Sequence, residues 1–364
     1  MFEIIFISII VVYFSQTVIF IIGSKKRFGK IDDDKLPSIS VIVAARNEEE
    51  NIIECMQSLE KLEYPENKIE IFIVNDHSTD NTKEIIQKFI HDKSRFKYLE
   101  PGAEIGQLKG KANALANAIK ESKGEIIFTT DADCRVSPTW AKELASYYKD
   151  DVAMVCGYTN QVDTTLFGGM QSVDFTYLLM IAGGVMNLGK PLSCIGNNMS
   201  YRKSVYEEVG GYESLPFSVT EDFNLLMAMH RLKKYKIIYP MTSEGLVTSK
   251  PCSTWKLLLK QKKRWGVGGL KSDLAGFGVM AAGFITHLCI ILVPFFFSML
   301  SLYLTLFKIA VDYFAIKGVH DKLKLSLRFK HFAAFEIYFI LYVVLLPFIT
   351  LINQKVEWKG RVYK

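Results

Sequence analysis

Ile126-Ile127-Phe128-Thr129-Thr130-Asp131-Ala132-Asp133 is an apolar run that ends in two carboxylates. The run predicts a buried strand, and alternate residues of an extended chain point to the same side. Asp131 and Asp133 are therefore expected to face one way, where they can offer oxygen ligands to a hard divalent cation. This stretch predicts a metal site at the end of a buried strand.

A second acidic signature, Thr220-Glu221-Asp222, opens a segment from Asp222 to Leu232 whose apolar residues recur at helical spacing. A carboxylate near a helix start is held in place and can be aimed at a substrate. Together the two signatures predict a metal-bound pyrophosphate site with a separate general base. Taken alone, the second signature is explained equally well as an ordinary helix N-terminus.

Strands alternate with helices in the part of the chain from residue 36 to residue 250. Strands are predicted at 38–44, 69–74 and 125–130, and helices at 47–62, 79–91 and 112–120. This alternation is typical of an α/β domain with a parallel sheet, whose ligands lie beyond the carboxyl ends of the strands. Polar side chains follow all three strands, namely Arg46 and Glu48, then Asn75 and Asp76, then Asp131 and Asp133. The sequence therefore predicts a ligand site at this edge of the sheet.

Apolar residues make up 49% of the 364-residue chain, and the surplus over a soluble core lies at the two ends. Residues 4–22 carry no charge and are long enough to cross a hydrocarbon core of roughly 30 Å. Lys25-Lys26-Arg27 follow them, whereas only Glu3 precedes them. This order predicts an uncleaved transmembrane anchor over residues 1–24 with the following domain in the cytosol. A cleaved signal peptide is less favoured, because no basic n-region or small-residue cleavage site is visible.

A longer apolar stretch, Leu274 to Phe307, is free of charge. It predicts one or two transmembrane helices over residues 274–316. Two helices would form a hairpin around Pro294, provided that Lys308 and Asp312, one helical turn apart, are tolerated near the end of the second helix.

The last apolar stretch, Ala333–Ile352, has Glu336 as its only charge and predicts a transmembrane helix over residues 332–352. The positive-inside rule does not fix how many spans precede it. Two spans would place the basic loop Lys317–Lys330 inside and the tail Lys355–Lys364 outside, and one span would do the reverse. The sequence thus predicts an integral protein of the plasma (inner) membrane.

The formal net charge is +6, and its local sources are the juxtamembrane segments and the stretch Lys256–Lys271. This distribution indicates attraction to anionic lipid heads or phosphates. No basic stripe is interleaved with base-stacking aromatic residues, so a nucleic-acid partner is not expected. The six cysteines have no C-x-x-C or zinc-ligand spacing and are typical of a reduced, cytosolic domain.

Six motifs occur in the order in which one known family carries them. They are Val41-Ile42-Val43-Ala44-Ala45-Arg46-Asn47-Glu48-Glu49, Val74-Asn75-Asp76-His77-Ser78-Thr79-Asp80, Gly110-Lys111-Ala112-Asn113-Ala114-Leu115, Asp131-Ala132-Asp133, Thr220-Glu221-Asp222 and Gln261-Lys262-Lys263-Arg264-Trp265. Over residues 37–270 the chain resembles the family 2 glycosyltransferases of GT-A fold. It looks most like their membrane-embedded branch, which includes cellulose and hyaluronan synthases, ceramide glucosyltransferase and bacterial lipid glycosyltransferases. The resemblance implies a GT-A (Rossmann-like) nucleotide-sugar domain over residues 36–250, with transmembrane helices on both sides.

The resemblance also implies a donor site. Ala44, Arg46 and Glu48 would line the nucleobase and ribose pocket, with Asp76 reaching the uracil or ribose and Lys111 near the base and phosphates. Asp133 would be the main ligand of Mg²⁺ or Mn²⁺, and Asp131 would bridge toward the ribose or the metal. The chemistry requires such groups, because a nucleoside diphosphate leaves more easily beside a divalent ion and cationic side chains.

On the acceptor side, the resemblance makes Asp222 of the Thr220-Glu221-Asp222 motif the catalytic base, which would give inversion in a single displacement. Arg264 would contact the diphosphate, while Gln261 and Trp265 would meet the acceptor. Asn197, in the stretch Gly196-Asn197-Asn198, would lie near the sugar or the acceptor. Residues 251–272, which contain this Q-x-x-R-W pattern, are expected to form an amphipathic helix on the membrane surface.

Other readings stay open. Asp131-x-Asp133 after a strand also opens the haloacid dehalogenase phosphatases, but those require Thr or Val where this chain has Arg135. Taken alone, Asp76 is better explained as a cap of the helix near Thr79. The preferred function is an inverting, metal-dependent transfer of a sugar from a UDP-sugar to a lipid. The alternatives are a processive polysaccharide synthase and a catalytically silent nucleotide-sugar-binding scaffold, and the oligomeric state is left open.

Overall fold

The computed structural model describes residues 1–102, 104–216, 218, 220–270, 272–352, 354–358 and 361–363, without the side chains of 356–358 and 361–363. The chain forms two compact units. The sheet unit consists of Lys26–Asn160 and Ser193–Lys250. The helical unit consists of Met1–Lys25, Gln161–Leu192 and Pro251–Lys364.

The α-helices and strands are numbered in chain order. The helices are α1 (Phe2–Ser24), α2 (Ile52–Glu60), α3 (Thr82–Ile90), α4 (Lys111–Glu121), α5 (Trp140–Ala145), α6 (Leu166–Asn187), α7 (Lys203–Glu208), α8 (Glu221–Arg231), α9 (Trp255–Gly269), α10 (Leu274–Leu292), α11 (Met299–Lys322) and α12 (Phe329–Ile352). The strands are β1 (Ile39–Ala45), β2 (Ile69–Asn75), β3 (Phe96–Leu99), β4 (Ile126–Asp131), β5 (Arg135–Val136), β6 (Val152–Cys156), β7 (Thr159–Gln161), β8 (Met199–Arg202), β9 (Lys236–Ile238), β10 (Val247–Ser249), β11 (Val356–Trp358) and β12 (Arg361–Tyr363).

A 7-stranded sheet with the order β3-β2-β1-β4-β8-β6-β9 forms the centre of the sheet unit. Strand β1 runs parallel to both β2 and β4. The register places Ala45 opposite Asn75 and Ala44 opposite Asp131. The carboxyl ends of three strands therefore coincide at one edge, because parallel neighbours in register end together.

The sheet is mixed, which corrects the expectation of a parallel sheet. Strand β8 runs antiparallel to both β4 and β6. The alternation of strands and helices that predicted parallel pairing ends with β4. Between β4 and β8 the chain contributes residues 161–192 to the helical unit, so no simple crossover helix connects these two strands.

Among the described residues of the helical unit, four helices are long and apolar enough to cross a membrane, namely α1, α10, α11 and α12. The uncharged stretch that starts at Leu274 forms two of them, and Pro294 lies in the turn between α10 and α11. Ser298 caps α11, because its hydroxyl accepts the N–H of Ser301. The sequence allowed either one or two helices in this stretch, and the structure has two helices that form a hairpin.

Helix α6 packs against α1, α11 and α12. A Cβ on Gly23 would overlap the backbone of Gly184, and one on Gly184 would overlap the backbone of Phe20. The two glycines let the backbones of α1 and α6 touch, which is how small residues commonly bring apolar helices together.

A buried charge cluster explains how charged residues are accommodated inside the apolar helices. The Lys308 ammonium lies 2.9 Å from Asp312 Oδ2 and 2.7 Å from Glu336 Oε2. Tyr13 donates its hydroxyl hydrogen to Asp312 at 2.8 Å, and its oxygen lies 2.7 Å from the Tyr177 hydroxyl. The cluster therefore connects α1, α6, α11 and α12 through one ammonium and two carboxylates.

We predict that Lys308→Met strongly destabilises the helical unit, because it leaves the carboxylates of Asp312 and Glu336 buried without a counter-charge. Breaking a buried ion pair in this way costs about 3–5 kcal/mol. The matched control is Lys317→Met, which removes an exposed i,i+4 pair with Asp321 on the same helix and costs about 0.5 kcal/mol or less. The measurement is the thermal melting of both variants in detergent, and equal shifts would contradict the role given to Lys308.

Candidate active site

The carboxyl ends of β1, β2 and β4 lie at one edge of the sheet unit, and polar residues follow each of these strands. Within this edge, the geometry of the two aspartates differs from the expectation. Strand β4 ends at Asp131, and the N–H of Cys134 donates to the carbonyl of Asp131 at 3.1 Å. Asp133 therefore lies in a turn, so the two-residue period of a strand does not orient it.

Lys111, the first residue of α4, connects the two acidic signatures. Its ammonium lies 2.6 Å from Asp131 Oδ1 and 3.3 Å from Glu221 Oε1. Burial by itself would lower the pKa of Lys111, but the charges of Asp131 and Glu221 outweigh it and raise that pKa above its usual value. Lys111 is therefore a permanent cation that joins the end of β4 to the start of α8.

Asp222 is oriented by backbone donors. Its Oδ2 accepts the N–H of Gly196 at 2.8 Å, and its Oδ1 accepts the N–H of Phe223 at 2.8 Å. A Cβ on Gly196 would lie 3.3 Å from Asp222 Oδ2 and 3.4 Å from the Lys111 ammonium. Even a Cβ would crowd both groups, which favours a glycine at this position.

The neighbours of Gly196 hold this loop in place. Asn197 is buried, and its Oδ1 accepts the Thr159 hydroxyl at 2.9 Å. Asn198 is fully buried and its Oδ1 accepts the indole N–H of Trp140 at 2.8 Å. Its amide group donates to the carbonyls of Tyr158 and Gly245 at 2.7 and 3.0 Å. Asn198 is thus a supporting residue that the sequence pattern did not distinguish from Asn197.

The predicted nucleobase side of the site follows β1 and β2. Arg46 donates to the carbonyl of Asp76 at 3.0 Å, and its guanidinium lies 3.9 Å from the Asp76 carboxylate. Ala44 is half-buried, while Glu48 is buried and donates its N–H to the Thr82 hydroxyl at 2.8 Å. These residues therefore share one corner of the sheet unit.

The start of α3 bears on the alternative role of Asp76. Asp80 accepts the N–H of Thr82 at 3.0 Å, and Asn75 accepts the N–H of Ser78 at 3.2 Å. Asn75 thus accepts a hydrogen bond in the turn, and Asp80 accepts one at the start of α3. These are the positions that the alternative interpretation assigned to Asp76.

The donor chemistry of the site fits a hard cation. After burial itself, the charges of Asp133 and Asp131 are the main causes that raise the pKa of the Cys55 and Cys134 thiols. The negative charges of Asp131 and Asp133 are therefore both felt by the same two thiols, which places the two carboxylates in one region of the sheet unit. Within the described ranges no group of three or more His, Cys, Asp or Glu side chains could hold a metal. Two carboxylates fit Mg²⁺ or Mn²⁺ when phosphates and water supply the other oxygens, which is the common arrangement for Mg²⁺.

The Q-x-x-R-W residues Gln261, Arg264 and Trp265 lie on α9 of the helical unit, whereas the acidic residues lie in the sheet unit. Thr254 caps this helix by accepting the N–H of Leu257. The ring of Trp265 stacks on that of Phe175, with centroids 5.7 Å apart.

Curated relatives align with most of the chain. It is 27% identical over 246 residues to the probable glycosyltransferase YdaM of Bacillus subtilis, which covers 64% of this chain and 56% of that protein. It is 28% identical to the beta-monoglucosyldiacylglycerol synthase of a Nostoc species, over 68% of this chain and 52% of that one. It is also 28% identical to the poly-beta-1,6-N-acetyl-D-glucosamine synthase of Staphylococcus epidermidis, over 66% and 56%. The chain spans about half the length of these relatives.

A solved structure has the same fold. The mannosyltransferase PcManGT of Pyrobaculum calidifontis, in complex with GDP-Man and Mn²⁺, superimposes with a TM-score of 0.60 at 17% identity. The match covers 93% of this chain and 99% of that chain. The predicted GT-A fold is thereby confirmed.

Two family models match the sequence. Glycosyl transferase family 2 matches residues 40–210, and Glycosyl transferase family group 2 matches residues 126–352. The second match extends over more than half of the chain and confirms the resemblance carried by the six motifs. The chain belongs to the family 2 glycosyltransferases.

Proposed function

We propose that the protein is an inverting, metal-dependent glycosyltransferase that moves a sugar from a UDP-sugar to a lipid acceptor at the cytosolic membrane face. The observation that carries this proposal is the contact of Lys111 with both Asp131 and Glu221, next to an Asp222 carboxylate fixed by backbone N–H groups. This arrangement supports a cationic donor site beside a separate base.

Asp222 is the proposed base. The acceptor hydroxyl oxygen bonds to the anomeric carbon while the bond from that carbon to the phosphate oxygen breaks. The nucleoside diphosphate leaves with the bonding electron pair, and the hydroxyl proton passes to Asp222. The two N–H donors at 2.8 Å support this role because they hold the carboxylate in one orientation.

The donor would be held by Arg46, Glu48 and Asp76 at the nucleobase side and by Lys111 at the phosphates. Asp133 and Asp131 would hold Mg²⁺ or Mn²⁺, which when bound neutralises the charge of the diphosphate leaving group. Lys111 adds a fixed positive charge at the same place. Ala44, opposite Asp131 in the sheet register, would line the pocket where the nucleoside lies.

A lipid acceptor is supported by two observations in the helical unit. Its helices α1, α10, α11 and α12 are apolar and long enough to cross a membrane, and α9 exposes Trp255, Leu257 and Leu259 beside its lysines. Such a helix suits the membrane surface, where Gln261 and Trp265 would meet a lipid-borne hydroxyl. The basic residues after α1 support a cytosolic sheet unit and a location in the plasma (inner) membrane.

A processive polysaccharide synthase is the second candidate. The relative named poly-beta-1,6-N-acetyl-D-glucosamine synthase is as similar to this chain as the relative named beta-monoglucosyldiacylglycerol synthase. A silent nucleotide-sugar-binding scaffold is the candidate from another class.

The purified protein is expected to release UDP from one member of a panel of UDP-sugars when a total lipid extract and Mn²⁺ or Mg²⁺ are present. Mass analysis of the products should show one sugar added to a lipid-soluble molecule, and omission of the extract is the control. A long water-soluble polymer would instead favour the synthase, and it would refute the lipid acceptor.

Asp222→Asn is expected to lower kcat by about 10²–10⁴-fold, because the amide cannot accept the proton. The amide also loses one of the two bonds from backbone N–H groups, because its nitrogen cannot accept. Binding of UDP should be unchanged, since Asp222 is not among the residues proposed to hold the donor. Asp92→Asn, at an exposed position of the sheet unit, is the matched control. The measurements are turnover and calorimetric UDP binding, and an unchanged kcat would support the scaffold.

Asp133→Ala is expected to abolish the part of UDP affinity that depends on Mn²⁺ and to leave the metal-free affinity unchanged. The reason is that the diphosphate then lacks the cation that carboxylates would fix beside it. Calorimetry with and without chelator measures both affinities, with Asp92→Ala as control. Identical Mn²⁺ dependence in the variant and the natural protein would exclude Asp133 as the main ligand.

A further inference from the structure

The helical unit contains a second buried ion pair that the proposed mechanism does not use. Lys262 of α9 donates to Asp174 of α6, and both side chains are only 2% exposed. Asp174 Oδ1 has no hydrogen-bond partner among the described residues. A buried carboxylate that is only half satisfied is costly, because burial removes the water that would have bonded it.

The pair lies against the aromatic residue of the Q-x-x-R-W motif. The Lys262 ammonium is 4.4 Å from the ring centroid of Trp265 and 5.1 Å from that of Tyr342 on α12. Lys262 and Trp265 are neighbours on one face of α9, since they are three residues apart. The cation is thus placed where it attracts the ring face of the indole.

Helix α6 also supports the indole directly. Phe175, the residue after Asp174, stacks on Trp265 with an interplanar angle of 30°. Two consecutive residues of α6 therefore hold two residues of α9, one through charge and one through ring stacking. This arrangement restricts the rotation of the Trp265 ring.

Stability alone does not account for the pair. Replacing a buried ion pair with apolar side chains of similar size is often neutral or stabilising. The neighbourhood of Lys262 is aromatic, with the rings of Trp265 and Tyr342 beside the ammonium, so an apolar pair would pack there. What an apolar pair would not supply is a fixed cation over the indole.

We propose that Asp174 is a positioning residue, which holds Lys262 against Trp265 and so fixes the indole that meets the acceptor. The inference rests on the proposed function for the role of Trp265. Asp174 itself touches neither substrate nor reacting atoms in this proposal. It acts only through the two residues of α9.

The test is Asp174→Asn, which keeps the side-chain shape and removes the charge. The apparent KM for the total lipid extract should rise about tenfold, which is the size expected for the loss of one desolvated cation–π contact. The KM for the UDP-sugar and the affinity for UDP should not change. Trp265→Ala should show the same split, and equal losses for donor and acceptor in that variant would refute the acceptor role of Trp265.

A fluorescence arm does not depend on turnover. The emission of Trp265 is obtained by subtracting the fluorescence of the Trp265→Phe variant from that of the same protein with Trp265 present. In Asp174→Asn, acrylamide should quench this emission more than in the natural protein. Equal quenching would overturn the positioning role. If the natural protein shows no turnover with the lipid extract, the proposed function fails while the quenching result still decides the inference.

Two further variants separate positioning from stability. The double variant Asp174→Asn with Lys262→Met leaves no buried charge, so its melting temperature should return toward that of the natural protein while Trp265 stays more quenched and the lipid KM stays raised. If the single variant Asp174→Asn does not fold, the same quenching and KM measurements on the double variant test the proposal. If the double variant regains both the natural quenching of Trp265 and the natural KM for the lipid extract, the ion pair contributes only to stability and the positioning role is wrong. Lys308→Met, assayed below its melting temperature, should leave the lipid KM unchanged.

Discussion

The pairing of a lysine ammonium with carboxylates of other elements is the interaction on which both units depend. Lys111 joins α4 to β4 and α8, Lys262 joins α9 to α6, and Lys308 joins α11 to α12. In each case the partners are far apart in sequence. Lys262 and Lys308 are buried, and because a buried charge without its partner is far more costly than a pair, each of these two lysines makes one arrangement of its helices strongly preferred. Lys111 is partly exposed, and its contacts with Asp131 and Glu221 hold the polar groups of the candidate site together.

The central strands could be predicted because their apolar runs are continuous and their ends are marked by polar residues. Strands β1, β2 and β4 begin and end within one residue of the predicted bounds. Helix α2 was predicted to start at Asn47 but starts at Ile52, and Asn47 itself has a left-handed conformation with φ of 52°, which excludes it from an α-helix. Its side-chain oxygen there accepts the N–H of Thr79. Long-range contacts of this kind leave no local pattern in the sequence.

The candidate site was predictable in its residue types and less so in its geometry. The motifs pointed to Asp131, Asp222 and Lys111, but only the structure brings Lys111 into contact with Asp131 and Glu221. Gly196 has no side chain that could mark it, yet its N–H orients Asp222. The turn at Asp131–Cys134 was missed because the alternation of an apolar strand was extended past the residue where β4 ends.

Helix α6 shows why the helical unit was the harder part to predict. Almost all of its length is buried, with small, aromatic and polar residues on every side, so it has no amphipathic stripe to identify it. Its polar residues find partners on other helices, with Asp174 on Lys262 and Tyr177 on Tyr13. A helix that is buried all round must satisfy each polar group internally, and those groups then select its neighbours. In this chain the residues that look least suited to an apolar helix are the ones that determine how the helices associate.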